Sequence, residues 1–254
     1  VLVSEVMLQQ TTTGRVIERF ENFVAKFPTT VDCAAAPLAE LLVEWQGLGY
    51  PRRCRNLHLT AQTIVDEHGG VVPHDLDALM ALPGVGPYTA RAVLAFAFGD
   101  DAAVVDTNVA RVLARLSGEA LTARAAQEMA DDFLPLGHGW EWNQVLMDFG
   151  ATVCTARSPM CGSCPVESRC AYRGIGDDPA RASALTSKPQ ARFEGSDRQA
   201  RGRLMKRLGE GSVTFVDAAT VMGADVPRAE RLVAALVSEG LVSREGGNLM
   251  LPLH

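Results

Sequence analysis

Apolar positions recur every three or four residues from the start of the chain to about residue 195, with almost no two-residue alternation, which predicts an all-α region of short helices. The spacing places helical patterns over residues 1–10, 16–27, 31–36, 38–46, 52–67, 76–81, 89–98, 109–116, 122–133 and 142–154. Pro28 ends the second, Gly47-Leu48-Gly49-Tyr50-Pro51 separates the fourth from the basic fifth, and Gly69-Gly70 closes the fifth. The first pattern opens without a cap, so further residues are expected before Val1. Residues 174–196, rich in Gly, Asp, Pro, Ser and Lys, read as a linker. The pattern then changes. A basic amphipathic helix over 197–208 and two more helices over 215–222 and 227–239 precede apolar stretches at 241–244 and 248–253, which flank Glu245-Gly246-Gly247. Three helices and a β-hairpin predict a small winged-helix-like module.

Between the patterns at 76–81 and 89–98 stands Leu82-Pro83-Gly84-Val85-Gly86-Pro87-Tyr88. Two glycines around one valine suit a tight turn with positive φ and uncovered N–H groups. A helix starting at Pro87 or Tyr88 aims its own free N–H groups at the same place, which suits a phosphate. The chain then turns at Gly99-Asp100 and carries Asp106 into the apolar run Val104-Val105-Asp106-Thr107-Asn108, where Thr107 or Asn108 can cap the next helix. A phosphate grip followed by one carboxylate points to chemistry on a nucleic acid. The alternative is a helical hairpin with a Gly turn and a helix-capping Asp.

The net charge of −6 argues mildly against a nucleic-acid partner, but local basic groups exist: Arg52, Arg53 and Arg55; Arg157, Arg169 and Arg173; and Arg198, Arg201, Arg203, Lys206 and Arg207. No apolar run approaches a membrane span. Of six cysteines, Cys33 and Cys54 are isolated and read as small core residues. Cys154, Cys161, Cys164 and Cys170 follow C-x6-C-x2-C-x5-C within seventeen residues, a pattern for a metal site in a reducing cytosol. A zinc ribbon normally uses two C-x2-C knuckles. One such pair with wider flanking loops favours a [4Fe–4S] cluster over Zn²⁺. With no flavin or nucleotide motif nearby, the cluster is expected to order a basic loop.

The motifs Ser4-Glu5-Val6-Met7-Leu8-Gln9-Gln10-Thr11, Gly47-Leu48-Gly49-Tyr50, Leu82 through Ala90, Val105-Asp106-Thr107-Asn108-Val109, Asn143-Gln144 and the four cysteines together resemble the helix-hairpin-helix DNA glycosylases, and among them the MutY family of adenine glycosylases. The resemblance runs from Val1 to about Arg173, and the tail is most similar to that of actinobacterial members. It implies an all-α, two-lobed helix-hairpin-helix fold with an iron–sulfur loop and a small C-terminal α+β module. The implied divisions are a six-helix-barrel lobe at 1–103, a cluster lobe at 104–173, a linker at 174–196 and the winged-helix-like module at 197–254.

The family removes adenine mispaired with 8-oxoguanine or guanine from duplex DNA, flipping the base into a pocket. By matching position, the resemblance implies that Glu5 protonates adenine N7, and burial in its apolar helix favours that protonated acid. It implies that Asp106 stabilises an oxocarbenium-like sugar, with Asn108 placing it. Gln10 and Tyr50 match residues that wedge into the duplex, with Thr11 and Leu48 beside them in the DNA-binding set. Gln144 matches a group facing the flipped adenine, and Gly84, Val85 and Gly86 hold a phosphate through N–H groups. The resemblance implies that the cysteines hold [4Fe–4S] and that the chain is a cytoplasmic, nucleoid-associated monomer acting on duplex DNA, without a membrane.

Tyr88 stands where the endonuclease III branch carries a Schiff-base lysine, so a monofunctional glycosylase is expected. The alternatives are an endonuclease III-like glycosylase/lyase for oxidised pyrimidines, and a non-enzymatic iron–sulfur DNA-binding regulator. Two departures stand out. The sequence opens just before Ser4-Glu5-Val6-Met7, without the segment that precedes this motif in the family, so a truncated or late start is expected. The tail is too short for the Nudix-like domain of many members and reads instead as a winged helix. The tail is expected to grip the duplex through Arg198, Arg201, Arg203 or Arg207.

Overall fold

The computed structural model describes residues 1–186 and 192–252. The described residues are mainly helical. Helices α1 (Leu2–Leu8), α2 (Thr13–Lys26), α3 (Thr30–Ala35), α4 (Leu38–Glu44) and α5 (Arg52–His68) come first. Thr29 and Asp32 form a capping box at the start of α3, and Gly69 at φ +62° ends α5. Then follow α6 (Leu76–Ala81), α7 (Pro87–Val93) with a π-helical turn over Leu94–Phe98, α8 (Thr107–Ser117), α9 (Ala123–Phe133) and α10 (Gly139–Thr152). The tail holds α11 (Asp197–Glu210), β1 (Val213–Thr214), α12 (Ala218–Met222), α13 (Val226–Ser238), β2 (Ser243–Glu245) and β3 (Asn248–Met250). No helix among the described residues is long and apolar enough to cross a membrane.

Packing divides the chain into two compact units. One comprises Val1, His74–Leu76 and Gly86–Pro189; the other comprises Leu2–Pro73, Asp77–Val85 and Gln190–His254. In the first, Val109, Leu113, Leu121 and Ala126 centre a core from α8, α9 and the strand-like run before α8. In the second, Met7, Phe23, Leu41 and Trp45 share one core with Leu204, Met222, Leu236 and Leu249 of the tail.

The tail has winged-helix order, with one addition to the hairpin expected at 241–253. Val213 pairs with Leu249, so the sheet is three-stranded in the order β1-β3-β2. A two-residue strand carries too little alternation to be read from sequence. Leu253 lies outside the described residues.

The module at 197–254 does not stand apart behind a tether. Ala39 N donates to Pro252 O at 3.0 Å, and at Gly209 even an added Cβ would overlap the Gln46 amide, so α11 lies close against the end of α4. The stretch expected as a linker is likewise packed over its first part. Ala180 is buried, and Ser183 Oγ accepts from Leu121 N at 2.9 Å. Low apolar content concealed this, because polar contacts hold the segment. Residues 187–191 of that linker lie outside the described residues.

Candidate active site and cysteine loop

Asp106 is the N-cap of α8. Its Oδ1 accepts from Val109 N at 2.6 Å and its Oδ2 from the Asn108 side-chain amide at 2.9 Å. The cap belongs to Asp106 rather than to Thr107 or Asn108, because its extended backbone lets a short carboxylate reach back to the third helical N–H. Each oxygen therefore has one fixed donor, which sets the plane of the carboxylate. Asn143 fixes the run before it, accepting from Val104 N at 2.9 Å and donating to Ala102 O at 2.8 Å. Gln144 follows on α10 and is half-buried.

The chain of contacts continues inward. Asn108 Oδ1 accepts from Arg111 Nη2 at 2.9 Å, and Arg111 also donates to Gly150 O at 2.6 Å and Cys154 O at 2.8 Å. Burial pushes the Arg111 guanidinium down from its ordinary pKa, opposed by Cys154. One turn later, Arg115 is 2% exposed and donates to both Asp178 oxygens, at 3.1 and 2.7 Å, and to the carbonyls of Cys154, Thr155 and Ala156. Burial opposes this charge pair, but the Arg115 hydrogen bonds win and hold Asp178 below the usual carboxylate range.

All four cysteines of the loop line one cavity, walled by Val112, Leu116, Phe149, Val153, Met160 and Tyr172. They are free thiols, and Arg115 Nη1 lies 3.4 Å from Cys154 Sγ. Burial, then the neighbouring Cys154, Cys170 and Cys164, push the Cys161 thiol up. Among the described residues no three His, Cys, Asp or Glu side chains group tightly enough to share one metal ion. Cys33 and Cys54 are core residues as expected; burial raises the Cys33 thiol to about 11 and also pushes the Cys54 thiol well above its ordinary value.

In the second unit, Glu5 lies on α1 with its Oε2 atom inaccessible to solvent. The turn after α1 and the Gly-rich loop before α5 are joined through Arg53. Its Nη1 donates to Val6 O at 2.7 Å and Met7 O at 2.9 Å; its Nη2 donates to Thr11 Oγ1, Leu48 O and Gly49 O at 3.0–3.1 Å. Burial lowers this guanidinium to about 10, countered by Tyr50 and Cys54. Two side chains presented here have left-handed backbones, Gln10 at φ +56° and Tyr50 at φ +48°. Such conformations cost roughly 1–3 kcal/mol in a non-glycine residue and persist where surroundings impose them. Leu48, of the expected DNA-binding set, has its side chain buried in the core, while its carbonyl accepts from Thr11 and Arg53 in the loop.

The hairpin differs from expectation in detail. Gly84 has φ +78°, and an added Cβ would lie 2.7 Å from the Asn56 amide, so both turn and packing require glycine there. Gly86 is extended at φ −99°, caps α7, and has open space where a Cβ would stand. Val85 is buried and its N–H donates to Leu82 O at 3.1 Å within the turn. Tyr88 is the second residue of α7 and half-buried.

Residues 3–133 match the model of the HhH-GPD superfamily of base excision DNA repair proteins. Over 261 residues the chain is 41% identical to the adenine DNA glycosylase of Mycobacterium tuberculosis, covering 99% of this chain and 84% of that one. The chain belongs to the adenine DNA glycosylase family. It is similar also to the adenine DNA glycosylase of Homo sapiens, at 43% identity over 68% of this chain and 33% of that one. Two solved structures are similar: a thermostable thymine-DNA glycosylase (TM-score 0.64, 33% identity, 68% of this chain, 82% of that one) and endonuclease III in a non-covalent DNA complex (TM-score 0.63, 32% identity, 68% and 82%).

In this glycosylase the arginines that organise each unit, Arg111 and Arg115 in one and Arg53 in the other, carry no assigned role in the sequence reading. Arg111 and Arg115 carry a signal, being charged residues four apart among the buried Val109, Ala110, Val112, Leu113 and Ala114. Arg53 carries none beyond its basic trio. The tail arginines, expected on DNA, have partners within the glycosylase. Arg201 pairs with Glu239, Arg203 donates to Met222 O, and Arg207 reaches Gly211 O.

Proposed function

We propose that this glycosylase hydrolyses the N-glycosidic bond of adenine mispaired with 8-oxoguanine or guanine in duplex DNA, acting as a monomer and without strand-cleaving lyase chemistry. The observation that carries the reading is Asp106, a carboxylate set in orientation by Val109 N and Asn108 in a chain 41% identical to an adenine DNA glycosylase. Glu5 protonates adenine at N7, the glycosidic electron pair leaves with the base, and water adds its oxygen to C1′ while its released proton restores the Glu5 acid. Asp106 faces the positive charge that develops on the sugar. Gln144 reads the adenine edge as donor and acceptor. Gln10 and Tyr50, with Thr11 and the Leu48 backbone behind them, occupy the gap in the stack. The N–H groups of Gly84 and Gly86 hold a phosphate. Tyr88 offers no amine for a Schiff base, which favours monofunctional hydrolysis over the lyase reading.

The cysteine set fits an iron–sulfur cluster. The C-x6-C-x2-C-x5-C spacing, with one C-x2-C pair between wider loops, and the single cavity that all four thiols line support this reading over a zinc ribbon. Cys154, Cys161, Cys164 and Cys170 would hold [4Fe–4S], whose contribution is to cross-link the loop. Arg115 and Asp178 hold the same loop to α8.

Alkali-revealed cleavage of duplexes carrying adenine opposite 8-oxoguanine, guanine or thymine tests the reading. Excision opposite the first two, abolished in Glu5→Gln with binding retained, is the expected result. Borohydride trapping of a covalent adduct with the unsubstituted chain would overturn the monofunctional assignment.

A further inference from the structure

Among the described residues, Arg198 is the arginine of α11 that hydrogen-bonds to Tyr50 at the end of the Gly47–Tyr50 loop. Its place is set by Ser196, which caps α11 by accepting from Gln199 N at 3.2 Å. From there Arg198 Nη1 donates to Tyr50 Oη at 2.7 Å, and its guanidinium carbon lies 5.8 Å from the Tyr50 ring centroid and 5.1 Å from that of Phe193. Arg53 approaches the same tyrosine, its guanidinium carbon 5.6 Å from the ring centroid. Tyr50 thus carries a left-handed backbone between two guanidinium groups, one of them supplied by the tail. A flexible aromatic side chain loses freedom on inserting into DNA, and a partner that orders it beforehand reduces that loss.

We propose that Arg198 is a positioning residue for Tyr50, and that the C-terminal module acts through it on recognition of the mispair rather than as a general grip on the duplex. The inference rests on the adenine glycosylase reading, in which Tyr50 enters the stack. It assigns the tail a role its other arginines do not share, since Arg201, Arg203 and Arg207 are engaged inside the module.

The test uses the full chain and its Arg198→Ala, Tyr50→Phe and double variants. Duplexes carry adenine opposite 8-oxoguanine with 2-aminopurine beside the mispair, whose fluorescence reports unstacking. Arg198→Ala is expected to lower mispair affinity and kcat/KM about five- to ten-fold and to reduce the 2-aminopurine signal. Affinity for an undamaged duplex should change less than about two-fold, with the thermal midpoint unaltered. Tyr50→Phe removes the acceptor oxygen and keeps the ring, so adding Arg198→Ala to it should cost less than Arg198→Ala costs in the unsubstituted chain.

Equal weakening on damaged and undamaged duplexes would identify Arg198 as a phosphate contact and overturn the inference. So would independent, multiplying losses in the double variant, or no change in the 2-aminopurine signal. If the unsubstituted chain fails to excise adenine, the glycosylase reading falls and this inference with it. If it excises adenine and Arg198→Ala gives any of the preceding outcomes, the inference alone fails.

Discussion

Asp106 illustrates how one side chain serves two ends. As an N-cap it stabilises α8 through Val109 N, and that bond together with the one from Asn108 fixes the plane of the carboxylate, which is what the proposed role beside a positively charged sugar requires. The bland reading of this residue as a helix-capping Asp and the chemical one are therefore compatible. Asn108 is the half-buried link in the support, because it joins Asp106 to buried Arg111. A hydrogen bond to a charged group contributes about 1.5–3 kcal/mol, so Asn108→Ala should slow single-turnover excision roughly 10- to 100-fold. Affinity for a duplex with a non-cleavable adenine analogue should remain within a few-fold. A rate equal to that of the unsubstituted chain would show that the cap bond from Val109 suffices.

At the scale of elements, α8 is the organiser of its unit. Its start carries Asp106, its middle Arg111, and its last turn Arg115, from which the cysteine loop hangs by Cys154, Thr155 and Ala156 carbonyls. Asp178 closes the arrangement with a pair whose side chains are 2% and 8% exposed. Losing one partner of a buried pair leaves a charge uncompensated, at about 3–5 kcal/mol; Asp178→Asn, which can still accept, should fall at the low end at neutral pH. The pH dependence follows from the depressed Asp178 pKa. The stabilisation is fully present above the unfolded carboxylate value, about pH 4, and is lost as pH falls through the lower folded value. Denaturant titrations at a series of pH values should show the gap between the two forms closing only on the acid side. A gap constant down to the lowest pH would mean that Asp178 acts through shape, not charge.

At the scale of the molecule, the tail and the first five helices share a core. Leu204, Leu208, Met222, Leu236, Leu241 and Leu249 are all at most 4% exposed within the cluster that holds Met7, Phe23 and Leu41. Deleting residues 192–254 uncovers that apolar surface, and the shortened chain is expected to be poorly soluble or to lose near-ultraviolet circular dichroism while keeping helical signal. A soluble, cooperatively unfolding truncation would show the first lobe to be self-sufficient. The same packing makes deletion a poor probe of DNA affinity and favours single substitutions such as Arg198→Ala.

What the sequence determined on its own was local chemistry: helical periods, the Gly84 turn, Asp106 at a helix start, the cysteine spacing and the winged-helix order of the tail. These are readable because each depends on residues within a few positions of one another. The partners of the arginines were decided only by tertiary structure. Arg115 meets Asp178 across 63 residues and Arg198 meets Tyr50 across 148. A charge in sequence shows no direction, so Arg198, Arg201 and Arg207 look alike until folding gives each an acceptor. Burial of Leu48 and Val85 was hidden for the same reason: a short loop motif does not reveal which face the core will cover.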